Sequence, residues 1–286
     1  MIPAAFEYVA PTSVQEAIAL LQQHGDEAKV LAGGHSLLPI MKFRLAQPKL
    51  VVDIGRIPGL DGIARSGDTI TIGALATHDA VERSGLLREH CPLLPETASV
   101  IGDMQVRNRG TIGGSLAHGD PASDLPAVMM ICEATITLQG AGGQQRSVSA
   151  NDFFQDYLET AVEPNEVLTE VRIPAYDGWG FGYEKFNRRS EDWAMVGVSA
   201  LVKRSGDTIE DVRVGLTNMG SVPLRAKAVE DALRGQPATT ESIASAAEQA
   251  AEGTNPPADL NASAEYKRHL ARVMARRALE TAAGLG

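Results

Sequence analysis

Two glycine pairs occupy positions where ligand chemistry could be built. Gly33-Gly34-His35-Ser36 follows a short apolar run, Lys29-Val30-Leu31-Ala32, and leads into a helical stretch from Ser36 to about Leu45 that Pro48 ends. A strand that ends in Gly-Gly and turns straight into a helix leaves backbone N–H groups pointing outward, and the helix dipole adds roughly half a positive charge at that end. Glycine keeps a Cβ out of the path of an approaching phosphate. The combination is an anion site suited to phosphate. Ser36 could add a hydroxyl donor or could only cap the helix. Thr111-Ile112-Gly113-Gly114-Ser115 repeats the pattern about eighty residues later. Either loop alone could be a plain tight turn, but two of them could clamp one pyrophosphate from both sides, which points to a dinucleotide.

Other ligand chemistries leave no trace. The Rossmann fingerprint G-x-G-x-x-G is absent, although Asp53 lies about twenty residues beyond Gly33, where a ribose-binding acid would be expected. Asp53 ends the apolar run Leu50-Val51-Val52 and reads as a strand-end turn acid. There is no Walker A motif, no H-E-x-x-H and no G-x-S-x-G, and the six histidines form no metal-ligand pair. Cys91 and Cys132 are far apart and make no C-x-x-C, so no disulfide framework is expected and a reducing cytoplasm is the natural setting. An all-cysteine iron–sulfur cluster needs about four thiolates, so any such cluster must lie on another chain.

The elements that would position these loops can be read along the chain. Ser13 and Glu16 make a capping box before Val14, Ala17, Ile18 and Leu21, which recur at helical spacing until Gly25. With Leu50–Ile54 as a buried strand, the opening is a strand–glycine turn–helix–strand unit. Further strands are expected at Thr69–Leu75, Ala134–Leu138 and Val167–Ile173, with helices from about His78 to Glu89 and beyond Pro95. The texture changes around Tyr176-Asp177-Gly178-Trp179-Gly180, where we place a boundary between residues 1–177 and 178–286. Beyond it come strands at Phe181–Asn187, Ala194–Lys203 and Ile209–Leu216, then helices at Leu224–Leu233, Thr240–Glu252 and Ser263–Ala283. The order suggests an α+β nucleotide-binding region in two parts, followed by a smaller α+β domain.

The 286 residues carry a formal charge of −10 with 5% aromatics, which argues against a nucleic-acid partner. A start of Met1-Ile2-Pro3-Ala4-Ala5-Phe6-Glu7 lacks the features of a signal peptide, and the longest apolar segment, around Leu125–Leu138, is too short and polar for a transmembrane segment.

The motifs also resemble a known family. Ala32-Gly33-Gly34-His35-Ser36-Leu37-Leu38-Pro39, with Met41-Lys42-Phe43-Arg44, resembles the first FAD motif of the medium subunits of carbon monoxide dehydrogenases and related molybdenum hydroxylases, a group akin to xanthine dehydrogenase. Arg107-Asn108-Arg109-Gly110-Thr111-Ile112-Gly113-Gly114-Ser115, continued by Asp120-Pro121-Ala122-Ser123-Asp124-Leu125-Pro126, resembles the second. Tyr183-Glu184-Lys185-Phe186, Arg188-Arg189 and Asp192-Trp193-Ala194 are similar to a third block. The resemblance covers the whole chain.

It implies an α+β fold: a vanillyl-alcohol-oxidase or PCMH-type FAD-binding domain of two α/β subdomains, then a carbon monoxide dehydrogenase flavoprotein C-terminal domain with a small antiparallel sheet and helices. It implies that Ala32, Gly33, Gly34, His35 and Ser36, with Thr111, Ile112, Gly113, Gly114 and Ser115, hold the FAD diphosphate, and that Leu37 also belongs to the cofactor site. Asp124 and Lys185 should make polar contacts, Ile101 and Leu168 should line the cofactor, and Trp193 should lie near the isoalloxazine. Read without the family, Asp124 could be a helix cap, Lys185 a solvated strand lysine and Trp193 a core residue. Arg107 and Arg109 could face a phosphate, a partner or water. No side chain is expected to act as a catalytic base.

The implied function is an FAD-dependent oxidoreductase subunit that passes electrons from 2Fe-2S clusters on a small partner subunit, via FAD, to an external acceptor. A large molybdopterin subunit would hydroxylate the substrate, in a cytoplasmic dimer of heterotrimers. A stand-alone FAD oxidase and a structural subunit with a degenerate FAD site are the alternatives.

Overall fold

The computed structural model describes residues 1–285. In the first unit, β1 (Glu7–Val9), α1 (Val14–His24), β2 (Ala28–Leu31), α2 (Leu37–Lys42) and β3 (Leu50–Asp53) form a three-stranded parallel sheet in the order β1-β3-β2 with α1 packed on it. The Ser13 hydroxyl accepts the Glu16 amide at 3.2 Å, and the Glu16 carboxylate accepts the Thr12 amide at 2.9 Å, so the capping box closes one residue earlier than expected. Val14, Ala17, Ile18 and Leu21 are buried against Leu50 and Val52. Asp53 is the turn acid expected: it accepts the Gly55 amide at 2.9 Å and the Tyr8 hydroxyl at 2.6 Å.

The second unit holds β4 (Ile63–Ser66), β5 (Thr69–Gly73), α3 (His78–Arg83), α4 (Gly85–His90), α5 (Leu93–Ser99), α6 (Met104–Arg107), α7 (Ile112–His118) and α8 (Asp124–Ile131). It continues with β6 (Thr135–Gln139), β7 (Gln145–Ser149), α9 (Ala150–Phe153), β8 (Phe154–Asp156), β9 (Glu159–Thr160) and β10 (Val167–Pro174). Its main sheet is antiparallel, in the order β4-β5-β10-β6-β7. β4 and β7 were not expected from the sequence, because both are edge strands whose exposed polar residues mute the alternation.

The third unit holds β11 (Gly180–Phe186), β12 (Val196–Ser205), β13 (Thr208–Thr217), β14 (Leu224–Arg225), α10 (Lys227–Leu233), α11 (Thr240–Ala247) and α12 (Ala264–Ala282). Its antiparallel sheet runs β11-β12-β13-β14. Leu224 and Arg225 were expected to open a helix. Instead they pair with Leu216 and Gly215, the Arg225 guanidinium is held by Glu230 at 2.9 Å, and the helix starts at Lys227.

Strand periodicity divides this sheet between two cores. Val196, Val198, Ala200 and Val202 of β12 pack with the C-terminal helices, whereas Leu201 packs with the second unit. Phe181 and Tyr183 of β11 also join the second unit's core. Gly180 and Gly182 take the opposite face and lie under α12. A Cβ on Gly182 would stand 2.2 Å from the Ala278 carbonyl oxygen, and one on Gly180 would stand 1.8 Å from that of Ala282. Tyr176 and Trp179 stack edge to face at 5.4 Å, with the Arg213 guanidinium 5.0 Å from the Trp179 ring, so the segment where the texture changes is packed rather than extended into solvent.

Gly182→Ala should therefore cost about 2–3 kcal/mol through overpacking of α12 on β11. Chemical denaturation checks this, and an unchanged midpoint would refute the close contact.

Candidate functional site

The two glycine loops meet. A Cβ on Gly33 would fall 2.0 Å from the Arg109 carbonyl oxygen and 2.8 Å from the Gly110 Cα, so the first loop lies on the backbone that precedes the second. Gly113 is pressed in the same way on Ala74, whose Cβ and carbonyl oxygen would be 2.6 and 2.7 Å from an added Cβ. Gly114 is freer: its nearest neighbours would be Thr111 Oγ1 at 2.8 Å and Ala32 Cβ at 3.9 Å. Gly33 and Gly113 thus serve backbone contact, whereas a Cβ at Gly114 would meet a side chain, the Thr111 hydroxyl.

The expectation of two equivalent bare loops is corrected. In the second loop every amide from Ile112 to Ser115 has a partner. Ile112 N–H donates to the Ala76 carbonyl at 2.9 Å and Gly113 N–H to the Ala74 carbonyl at 2.9 Å. Gly114 N–H donates to Thr111 Oγ1 at 3.1 Å, and Ser115 N–H to the Thr111 carbonyl at 3.0 Å. The physical reason is that Thr111 caps α7, so Gly113 and Gly114 fall inside the first helical turn rather than before it. In the first loop α2 begins only at Leu37, and the amides of residues 33–37 donate to no group among the described residues. Because α2 has only six residues, the run of bare amides matters more than a helix dipole.

Both loops open on a cavity of about 540 Å³, within the range of roughly 300–1,000 Å³ usual for small-molecule sites. Fifteen of the sixteen expected site residues line it: Ala32, Gly33, Gly34, His35, Ser36, Leu37, Ile101, Thr111, Gly113, Gly114, Ser115, Asp124, Leu168, Lys185 and Trp193. Ile112 does not, since its side chain is fully buried in the second unit's core.

In the lining of the same cavity, Lys185 and Asp124 form an ion pair at 3.0 Å, each side chain only 5% exposed. Lys185 also donates to the Val100 carbonyl at 2.9 Å, and the Tyr183 hydroxyl donates to Asp124 at 2.6 Å. Tyr183 and Lys185 are two apart on β11 and so share its face. Burial raises the Asp124 pKa above the ordinary carboxylate value, and Lys185 and Tyr183 oppose the rise. Asp124 is therefore no helix cap: Ser123 holds the cap position, and the Asp124 carboxylate faces Tyr183 and Lys185. Lys185 is not solvated, and Trp193, 52% exposed, is not core. Arg107 pairs with Glu82 at 2.8 Å and donates to the Ile101 carbonyl at 3.1 Å, while Arg109 contributes its carbonyl beneath Gly33.

His78, His118 and Tyr183 were not anticipated. His78 opens α3 after the Thr77 cap, lines the cavity and is 5% exposed. Its Nδ1 is buried without a hydrogen-bond partner. Burial, then the neighbouring His35 and Arg107, lower its pKa from 6.5 to about 4. His118 also lines the cavity, and burial lowers its pKa as well. No motif marks His78 or His118, which the chain topology alone brings to the cavity, whereas Tyr183 opens the third motif block and reaches the site through its hydrogen bond to Asp124. Topology likewise brings Cys91 and Cys132 together as fully buried thiols, with sulfurs 4.0 Å apart.

Residues 4–176 match the family described as the FAD binding domain in molybdopterin dehydrogenase, and residues 181–282 match the CO dehydrogenase flavoprotein C-terminal domain. The carbon monoxide dehydrogenase medium chain of Hydrogenophaga pseudoflava is 46% identical over 99% of this chain and 98% of its own length. The structure of carbon monoxide dehydrogenase from that organism, which lacks the Mo-pyranopterin moiety, superposes with a TM-score of 0.97 over 100% of this chain and 99% of the other. Quinoline 2-oxidoreductase from Pseudomonas putida 86 superposes with a TM-score of 0.94 at 34% identity, over 100% and 99% of the two chains.

The His78 shift has a sign that can be tested. Its folded-state pKa lies below the unfolded value, so the stability it contributes is complete above pH 6.5 and is lost as pH falls towards 4. The loss should be on the order of 3 kcal/mol. Denaturation of the ligand-free chain at a series of pH values should show this slope, and His78→Phe should flatten it; equal slopes in the two proteins would disprove the burial of a neutral imidazole.

Proposed function

The chain belongs to the carbon monoxide dehydrogenase medium-subunit family of molybdenum-hydroxylase flavoproteins, and on that premise we propose that it holds one FAD in the cavity beneath its two glycine loops. It is the electron-relay subunit of a molybdenum hydroxylase complex. The observation that carries this reading is the run of unpartnered amides at residues 33–37, set in the wall of a cavity that a buried lysine–aspartate pair also lines.

The residues fit the cofactor. Gly33, Gly34, His35, Ser36 and Leu37 offer a row of N–H donors to a diphosphate without competition from the chain's own carbonyls. Thr111, Gly113, Gly114 and Ser115 form a second stretch of the lining, in which Gly114 adds no side chain. Ile112 acts indirectly, anchoring that wall in the core. Ile101 and Leu168 give apolar contact, and Trp193 at the rim shields the entrance. Bound FAD supplies the redox chemistry that amino-acid side chains lack. Asp124, Tyr183 and Lys185 hold a charged pair in a low-dielectric wall, and a fixed ammonium there favours the electron-rich form of whatever it faces.

The reading includes a small partner subunit with 2Fe-2S clusters, a large molybdopterin subunit that hydroxylates the substrate, and pairing of two such heterotrimers in the cytoplasm. The C-terminal domain is taken to begin at residue 178. Among the described residues no helix is long and apolar enough to cross a membrane. The relatives named above act, by their names, on carbon monoxide and quinoline, so the substrate is set by the large subunit rather than by this cavity.

The purified assembly should be yellow, with a flavin absorption spectrum and about one FAD per chain; a colourless preparation that takes up no FAD would overturn the proposal. Gly114→Val should strip the chain of most of its flavin, because the branched side chain meets the Thr111 hydroxyl and intrudes on the lining, with circular dichroism as the check that the chain still folds. Unchanged flavin content would remove the loop from the site. Lys185→Met should lower the flavin midpoint potential by about 30 mV or more, the equivalent of about 1.4 kcal/mol for a two-electron couple. A redox titration showing no shift would exclude Lys185 from that role.

A further inference from the structure

We propose that His78 is a further cofactor-binding residue, whose unpartnered ring nitrogen hydrogen-bonds the FAD diphosphate between the two glycine loops. The inference rests on the FAD reading and names a residue that neither glycine motif contains.

Three observations converge on this position. His78 lines the cavity, and its Nδ1 is buried without a hydrogen-bond partner among the described residues. A buried polar atom without a partner costs free energy, so its persistence in a ligand cavity calls for a ligand atom. The backbone also ties His78 to both loops. His78 N–H donates to the Gly110 carbonyl at 2.9 Å, and a Cβ on Gly110 would come within 2.7 Å of the imidazole. Gly110 in turn lies directly under Gly33, 2.8 Å from where that residue's Cβ would be. The imidazole therefore stands at the junction of the loops, where a diphosphate gripped by the bare amides would lie.

The charges around the ring suit an anion. Burial, with His35 of the first loop and Arg107 of α6 as neighbours, holds the ring neutral, and Glu82 of α3 is occupied by Arg107. A diphosphate would reverse the sign of that local field and strengthen the hydrogen bond from the ring. A neutral imidazole has one donor nitrogen and one acceptor nitrogen, so its N–H can donate to a phosphate oxygen without a proton from solvent.

The test is a binding titration of the flavin-free full chain with FAD, ADP and riboflavin, followed by flavin fluorescence or calorimetry. His78→Leu removes the ring nitrogens at similar volume, and His78→Gln keeps a hydrogen-bonding group. A hydrogen bond to a charged group predicts that His78→Leu weakens FAD and ADP about tenfold or more and leaves riboflavin unchanged. His78→Gln should recover most of the loss. His78→Leu binding FAD as tightly as the unmodified chain would overturn the inference while leaving the FAD reading intact. Equal weakening of riboflavin would also overturn it, since that marks a general collapse of the cavity. If His78→Leu does not fold, the imidazole nitrogen resonances of the unmodified chain, assigned with His78→Gln, decide the matter. A shift on adding ADP supports the contact, and no shift refutes it. An unmodified chain that binds neither FAD nor ADP would remove the FAD reading and this inference together.

Discussion

The site depends on one steric fact: the chain can pass over itself at Gly33 only because no Cβ is present. The Arg109 carbonyl occupies the space a side chain would need, at a distance no real Cβ contact reaches. That contact joins the parallel sheet of the first unit to the helical layer of the second, and the cavity lies where they join. Gly113 on Ala74 makes the second such contact, fixing the start of α7 against the end of β5. Backbone pressed on backbone has no rotamers to yield, so the relative position of the two loops is rigid.

The loops divide the work unequally. Thr111 caps α7 and, together with Ala74 and Ala76, takes up the amides of residues 112–115, which makes this loop a wall. The first loop keeps its amides free because α2 starts late and no acceptor among the described residues reaches the N–H groups of residues 33–37. An anion site needs unsatisfied donors, and unsatisfied donors cost stability unless water or a ligand meets them. The protein holds that cost on one loop and uses the other to keep it in place.

The third unit closes the site with charge. β11 turns two glycines towards α12 and presents Tyr183 and Lys185 to the second unit, so one strand builds a helix interface on one face and a cavity wall on the other. Asp124 and Lys185 are both almost fully enclosed and are held against each other at 3.0 Å, so neither is left without a partner. A flavoprotein subunit of a molybdenum hydroxylase gains from this arrangement, since the cofactor performs the redox chemistry and the protein's task is to bind it and set its electrostatics.

The sequence by itself determined the local elements and the cofactor class. The capping box at Ser13, the helical spacing of α1, the alternation in β12 and β13 and the two glycine clusters are short-range patterns, and the family motifs around them are contiguous. Tertiary structure decided everything that depends on residues far apart in the chain. It showed that Gly33 and Gly113 serve packing, that only one loop keeps bare amides, and that Ile112 belongs to the core. It paired Asp124 with Lys185, brought Cys91 beside Cys132, and set His78 between the loops. Edge strands such as β4 and β7, and the short β14, were equally illegible, because a strand with one partner and a polar exposed face leaves little periodicity to read. Hydrophobic periodicity reports which way a residue faces within its own element. Which distant backbone it will face is settled only when the units dock, and the chemistry of this site lies in those long-range contacts.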